Sequence, residues 1–243
     1  MSNPTVKKEF DELRTKYPWP IQRPNVDPAE WNVDGGGREL VTDKISRNED
    51  FIIIEIGVFL GSSVKKWLNI APKVHVIAID PWKGDWWADY AKNSGRLELV
   101  EPFSTEDGLY LTFLSSLWEY KERVFPVRGY SPDKLYELFE LGVRPDLIYI
   151  DSDKSGNDIE VAHKLFPSAI LTGDDWTWGK GFPIRKAVRK FAKTHGYFIR
   201  SHNATWIVDQ NKYTLKDYIN KGVEAIKDQI LILKFAIKRR MKG

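Results

Sequence analysis

The sequence predicts an α/β fold: a doubly wound, mostly parallel seven-stranded sheet that closes in a C-terminal antiparallel hairpin and is preceded by short N-terminal helices. Three observations predict it. From Phe51 onward, short runs rich in Ile, Val and Leu alternate with amphipathic stretches of helical length. Those runs are apolar at consecutive positions, as in strands covered on both faces. The last two runs are joined through Asn203 at hairpin spacing.

The elements follow in order. Val6–Tyr17 reads as a helix. Asp27-Pro28-Ala29-Glu30 reads as the start of another, with an N-cap, proline at the first helical position and an acidic first turn. Pro18, Pro20 and Pro24 separate the two, and Gly35-Gly36-Gly37 breaks the chain before a short helix at Arg38–Ile45. Strand Phe51–Ile56, helix Ser62–Asn69 and strand Val74–Ile79 make the first βαβ unit. Trp82–Tyr120 is long, aromatic and mostly helical, with a loop at Glu101–Gly108. Strand Val124–Val127, a helix over Pro132–Leu141, strand Asp146–Ile150, a helix from Asp158 and strand Ala169–Thr172 come next. Phe182–His195 is an amphipathic helix stopped by Gly196, and Tyr197–Ser201 with Thr205–Asp209 forms the hairpin. Tyr213–Gly243 reads as one helix with a basic end at Lys234, Lys238, Arg239, Arg240 and Lys242. Such a helix suits packing on its own domain, peripheral contact with a membrane surface, or pairing in a homo-oligomer. The chain therefore divides into a helical cap at 1–47, the sheet domain at 48–210 and the basic helix at 211–243.

Composition narrows the function classes. With 42% hydrophobic and 29% charged residues the chain is a folding one, and 243 residues suffice for one large domain. A net charge of +3 gives no electrostatic case for a nucleic-acid partner. The absence of cysteine excludes disulfides, zinc–thiolate sites and a thiol nucleophile. Met1–Pro20 is polar, unlike a secretory signal, and no apolar run approaches the ~18 residues of a membrane span. The expected location is cytoplasmic.

Open α/β sheets bind ligands at the carboxyl ends of their strands. The first strand runs into Glu55-Ile56-Gly57-Val58-Phe59-Leu60-Gly61-Ser62-Ser63, where Gly57 and Gly61 permit a tight turn and Ser62 and Ser63 open a helix whose N–H groups suit a carboxylate. The glycines are too sparse for a dinucleotide-binding GxGxxG pattern. Asp80 ends the second strand, where an acid can accept both ribose hydroxyls of a nucleoside or serve as an ordinary loop carboxylate. Asp151-Ser152-Asp153-Lys154 and Gly173-Asp174-Asp175-Trp176 follow neighbouring strands, which gathers Asp151, Asp174 and Asp175. Three clustered carboxylates need a cation, protons or hydrogen bonds to offset them. An all-oxygen set suits magnesium, manganese or calcium, with Lys154 as a general base; the plainer alternative is that Asp174 and Asp175 cap the next helix or hold loop amides.

Together these motifs resemble the class I S-adenosylmethionine-dependent methyltransferases, in particular the cation-dependent O-methyltransferases of catechol and caffeoyl-CoA type and the related sugar and macrolide enzymes. The resemblance covers roughly Asn32 to Asp209. It implies a Rossmann-like sheet, S-adenosylmethionine as cofactor, metal ligation by Asp151, Asp174 and Asp175, and catalysis through Asp151 and Lys154. It further implies that Val33, in Asn32-Val33-Asp34-Gly35, lies against the methionine end of the cofactor. Gly129, Tyr130 and Ser131 would form the turn beside the adenine, with Glu55, Gly57, Gly61, Ser62, Ser63, Asp80 and Asp151 completing the cofactor site.

The departures from the pattern matter too. The second ligand pair is Asp-Asp rather than Asp-Asn, and Asp153 stands where catechol enzymes carry an aromatic residue, which makes Trp82 the candidate adenine cover. Asn203 replaces the glutamate that meets a catechol's second hydroxyl, and Trp176 and Trp178 either flank the acceptor or pack in the core. Trp86-Trp87 is either a lid or packing. The expected reaction is metal-assisted methylation of a hydroxyl on a small molecule or sugar. The rival readings are a metal-independent methyltransferase, a nucleotide-sugar oxidoreductase and a non-catalytic binding module.

Overall fold

The computed structural model describes residues 4–31, 36–83, 85–152, 154–209 and 222, 223, 226 and 230. Seven strands form one sheet: β1 (Phe51–Ile56), β2 (Val74–Asp80), β3 (Val124–Arg128), β4 (Leu147–Ile150), β5 (Ile170–Gly173), β6 (Phe198–His202) and β7 (Thr205–Asp209). Their order is β3-β2-β1-β4-β5-β7-β6. β1 to β5 pair in parallel, while β7 runs antiparallel to both β5 and β6. This is the doubly wound sheet with closing hairpin that the periodicity predicts. The winding reverses between β1 and β4, which sets the ligand crevice of such sheets at their carboxyl ends. Pro126 is tolerated in β3 because that strand is the sheet's edge.

The helices are α1 (Pro4–Lys16), α2 (Glu39–Thr42), α3 (Ser62–Leu68), α4 (Asp85–Asn93), α5 (Val100–Ser104), α6 (Gly108–Ser116), α7 (Asp133–Glu140), α8 (Asn157–Leu165) and α9 (Pro183–His195). They cover both faces. One core joins Ile53, Val76 and Tyr149 of the sheet to Trp67 of α3, Phe103 of α5 and Phe113 of α6. The other joins Ile54, Ile77 and Ile150 to Leu13 of α1, Leu135 of α7, Ile159 of α8 and Phe191 of α9. Adjacent residues of one strand thus enter different cores, which is why the strands are apolar at every position. Glu55 is the exception, a buried acid on the first of these faces.

Three expectations meet a different outcome. Residues 27–31 form no helix despite the capping signature. Tertiary contacts win there: Ser116 Oγ accepts the Ala29 N–H at 3.0 Å and donates to the Ala29 carbonyl, while Ser115 Oγ donates to the Val26 carbonyl at 2.8 Å. The segment is a strap whose backbone is satisfied by the end of α6 rather than by its own turns. Helix continues through Ser104, so the loop expected at Glu101–Gly108 shrinks to residues 105–107. The C-terminal helix expected at Tyr213–Gly243 lies outside the described residues except at Gly222, Val223, Ile226 and Ile230, which are helical and exposed. No helix among the described residues is long and apolar enough to cross a membrane.

Candidate functional site

Parallel register places the strand ends at one level. Ile56 pairs with both Ile79 and Ile150, and Ile150 pairs with Gly173. The turn after β1 is pressed onto the backbone after β4: a Cβ on Gly57, whose φ is +85°, would lie 2.1 Å from the Asp151 carbonyl oxygen. Gly61 (φ +79°) precedes α3, where a Cβ would meet the Leu117 side chain at 2.8 Å. Both glycines are therefore required by the fit of the turn itself. Ser62 Oγ donates to the Trp31 carbonyl at 3.2 Å, and Ser63 Oγ turns inward to Glu55.

Asp80 ties β2 to the same turn. One carboxylate oxygen accepts the Phe59 N–H at 2.9 Å and the other the Trp82 N–H at 2.7 Å. Burial pushes its pKa up, and these backbone donors act against that rise. Trp82 is a correction to the sequence reading. Its ring is 0% exposed, packed on Tyr110 and Phe113, with its indole N–H donated to the Phe59 carbonyl at 2.8 Å. It is core, with no open face for an adenine. At the end of β3, Gly129 (φ +148°) leads to Tyr130, which is 56% exposed. Ser131 Oγ donates to Asp158 at 2.6 Å, whose second oxygen takes the Ser152 hydroxyl. The buried Asp158 therefore holds the turns after β3 and β4 together.

Glu55 lies beneath this edge with no route to solvent. It accepts hydrogen bonds from the Ser63 hydroxyl and, at 2.7 Å, from the Trp67 indole. Burial raises its pKa from the ordinary 4.5 to about 7, with Ser63, Trp67 and Arg38 opposing the rise and Asp174 adding to it. A carboxyl raised on folding contributes full stability below about pH 4.5 and loses it as pH climbs through the folded value near 7. In Glu55→Gln the amide oxygen keeps the Trp67 bond and the amide nitrogen donates to Ser63. The stability advantage of this variant over wild type is expected to grow by about 3 kcal/mol from pH 4.5 to above 7. Denaturant titrations across that range test it, and a pH-independent difference would contradict it.

The acidic cluster assembles as expected, but with internal counter-charges. Lys154 Nζ stands 3.5 Å from Asp151 Oδ1 and in direct contact with Asp175 Oδ2. Asp174 Oδ2 faces Arg38 at 3.4 Å, and its Oδ1 accepts the Asp175 N–H at 2.9 Å. Burial pushes Asp151 well above the usual carboxylate range; Lys154 opposes the rise, while Asp174, Asp175 and Glu55 add to it. For Lys154, burial lowers the pKa, but Asp151 and Asp175 outweigh it and the net shift is upward. That direction is opposite to the lowering that a general base at this position needs. Among the described residues, no group of three or more His, Cys, Asp or Glu side chains is arranged to hold a metal ion. The oxygens of Asp151, Asp174 and Asp175, expected to hold magnesium, manganese or calcium, are instead met by Lys154, Arg38 and the Asp175 N–H.

The remaining residues separate clearly. Val33 and Asp153 lie outside the described residues. Trp176 is buried, with Arg185 and Arg189 over its ring, so it packs rather than flanks an acceptor. Trp178 is 59% exposed, three residues beyond Asp175. Asn203 occupies the hairpin turn at φ +51°, a conformation asparagine tolerates, beside Gly36. Trp86 stacks on Trp87 and Trp87 on Phe59, each at 3.9 Å, so the pair extends the turn after β1 towards solvent. Arg38 and Asp158 were missed; nothing local marks either one, since their roles exist only through distant partners.

No family model matches the chain, and no curated protein does. Among solved structures, it is similar to precorrin-6y C5,15-methyltransferase from Geobacter metallireducens at 16% identity, over 70% of this chain and 84% of that one, with TM-score 0.47. It is similar at 17% identity to an O-methyltransferase from Bacillus cereus in complex with SAH, over 86% and 91% of the two chains, with TM-score 0.44. The O-methyltransferase TomG from Streptomyces achromogenes, in complex with SAM, is likewise 17% identical, over 86% and 90%, with TM-score 0.47. At these identities the likenesses assign no chemistry to the chain.

Proposed function

We propose that the chain is an S-adenosylmethionine-dependent O-methyltransferase acting on a hydroxyl of a small molecule or sugar. The observation that carries this reading is the double use of Asp151. Its backbone lies under the glycine turn of β1, while its carboxylate, 31% exposed, joins the Lys154 cluster. A cofactor turn and a proton-handling group thus meet at the point where the sheet reverses its winding. The donor set suits the cofactor: a glycine turn after β1, an acid ending β2 and the exposed Tyr130 ring after β3.

When bound, S-adenosylmethionine supplies a methyl group on a positively charged sulfur. The chain's part is to hold an acceptor oxygen in line with that methyl and remove its proton, and positioning alone contributes several kcal/mol. Asp151, whose side chain is part-exposed, is the carboxylate placed to accept the proton, and the Lys154 ammonium beside it favours a developing oxyanion.

Incubation with methyl-labelled cofactor and a panel of phenols, sugars and other alcohols tests the reading. Label recovered as a methyl ether is the expected result. Cofactor binding without transfer to any hydroxyl would favour a non-catalytic binding module instead.

A further inference from the structure

We propose that the carboxylate cluster at the carboxyl ends of β4 and β5 is closed by the chain's own cations, Lys154 and Arg38, and takes no divalent metal ion. The Lys154 ammonium lies between Asp151 and Asp175, 3.5 Å from the first and touching the second. It occupies the point on which those two carboxylates would converge around a metal. Asp174, the third acid, has both oxygens engaged, one by Arg38 and one by the Asp175 N–H. The side chains of Arg38 and Asp174 are only 8% and 7% exposed. Detaching Arg38 to free Asp174 for a metal would strand a guanidinium in the interior, a heavy penalty for a buried charge.

Charge and geometry agree. Three carboxylates against two cations leave at most a single net negative charge, so a dication gains little unless Lys154 is expelled. Magnesium also requires near-octahedral oxygen ligation, and the two acids not held by Arg38 already share one ammonium. Lys154 therefore stands in for a cation: removing its charge should create the metal site that the wild type lacks. The catalytic consequence, a positive charge supplied by the chain to the acceptor oxygen, rests on the proposed function. The binding claim does not.

The experiment is electron paramagnetic resonance titration of the full chain with Mn2+, which reads metal uptake whether or not the protein binds a cofactor. The wild type is expected to leave the free Mn2+ signal as it is in buffer. Lys154→Met is expected to take up one equivalent, at least about tenfold more tightly than wild type, and Lys154→Gln serves equally if the methionine variant does not fold. Uptake of one Mn2+ by the wild type that is lost in Asp174→Asn would overturn the proposal. So would a folded Lys154 variant that binds no better than wild type.

Discussion

Replacing Arg38 with methionine is expected to cost about 3–5 kcal/mol of folding stability, because removing one partner of a buried ion pair leaves the other charge uncompensated. Both members of the pair are almost fully enclosed, so water cannot take over the role of the guanidinium. The Asp174 carboxylate would remain beside Asp151, Asp175 and Glu55 with one counter-charge fewer. Chemical denaturation of Arg38→Met reads the loss directly. Adding Asp174→Asn in the same chain should restore part of it, since the amide carries no charge to strand, and the coupling follows from the double-mutant cycle. A loss below about 1 kcal/mol, the range of exposed pairs, would mean that Asp174 is not held in the way described.

The second large effect belongs to Gly57. Alanine there would place its Cβ 2.1 Å from a backbone oxygen at a φ of +85°, so the turn after β1 must move away from Asp151. Because that turn carries the cofactor in the proposed reading, affinity for S-adenosylhomocysteine is expected to fall about a hundredfold, equivalent to roughly 3 kcal/mol of lost contacts. Gly95→Ala is the control. That glycine also has a positive φ, of +75°, but nothing lies within 4 Å of its would-be Cβ. It should lose about 1 kcal/mol of stability and none of the affinity. Equal affinities in Gly57→Ala and wild type would detach the turn from the ligand.

Much of this architecture is legible in the sequence, and the reasons are local. The strands announce themselves because each side chain from Phe51 to Ile56 enters one of two cores, and only Glu55 breaks the run. The convergence of Asp151, Asp174 and Asp175 follows from adjacency of β4 and β5. What stayed hidden depends on partners far along the chain. The helix expected from Asp27 gives way to serines at the end of α6. Arg38 meets Asp174 across 136 residues, so the charge that completes the cluster could not be read from either segment. Trp82 and Trp176 follow strand ends, where a tryptophan can face a ligand or the interior; only packing decides, and both turn inward.

Binding of S-adenosylmethionine at the carboxyl edge of this sheet is tested by calorimetric titration of the wild-type chain with S-adenosylhomocysteine, with magnesium and again with chelator. Saturable binding at one site per chain is expected, with the same affinity in both conditions. No heat of binding in either condition would contradict it.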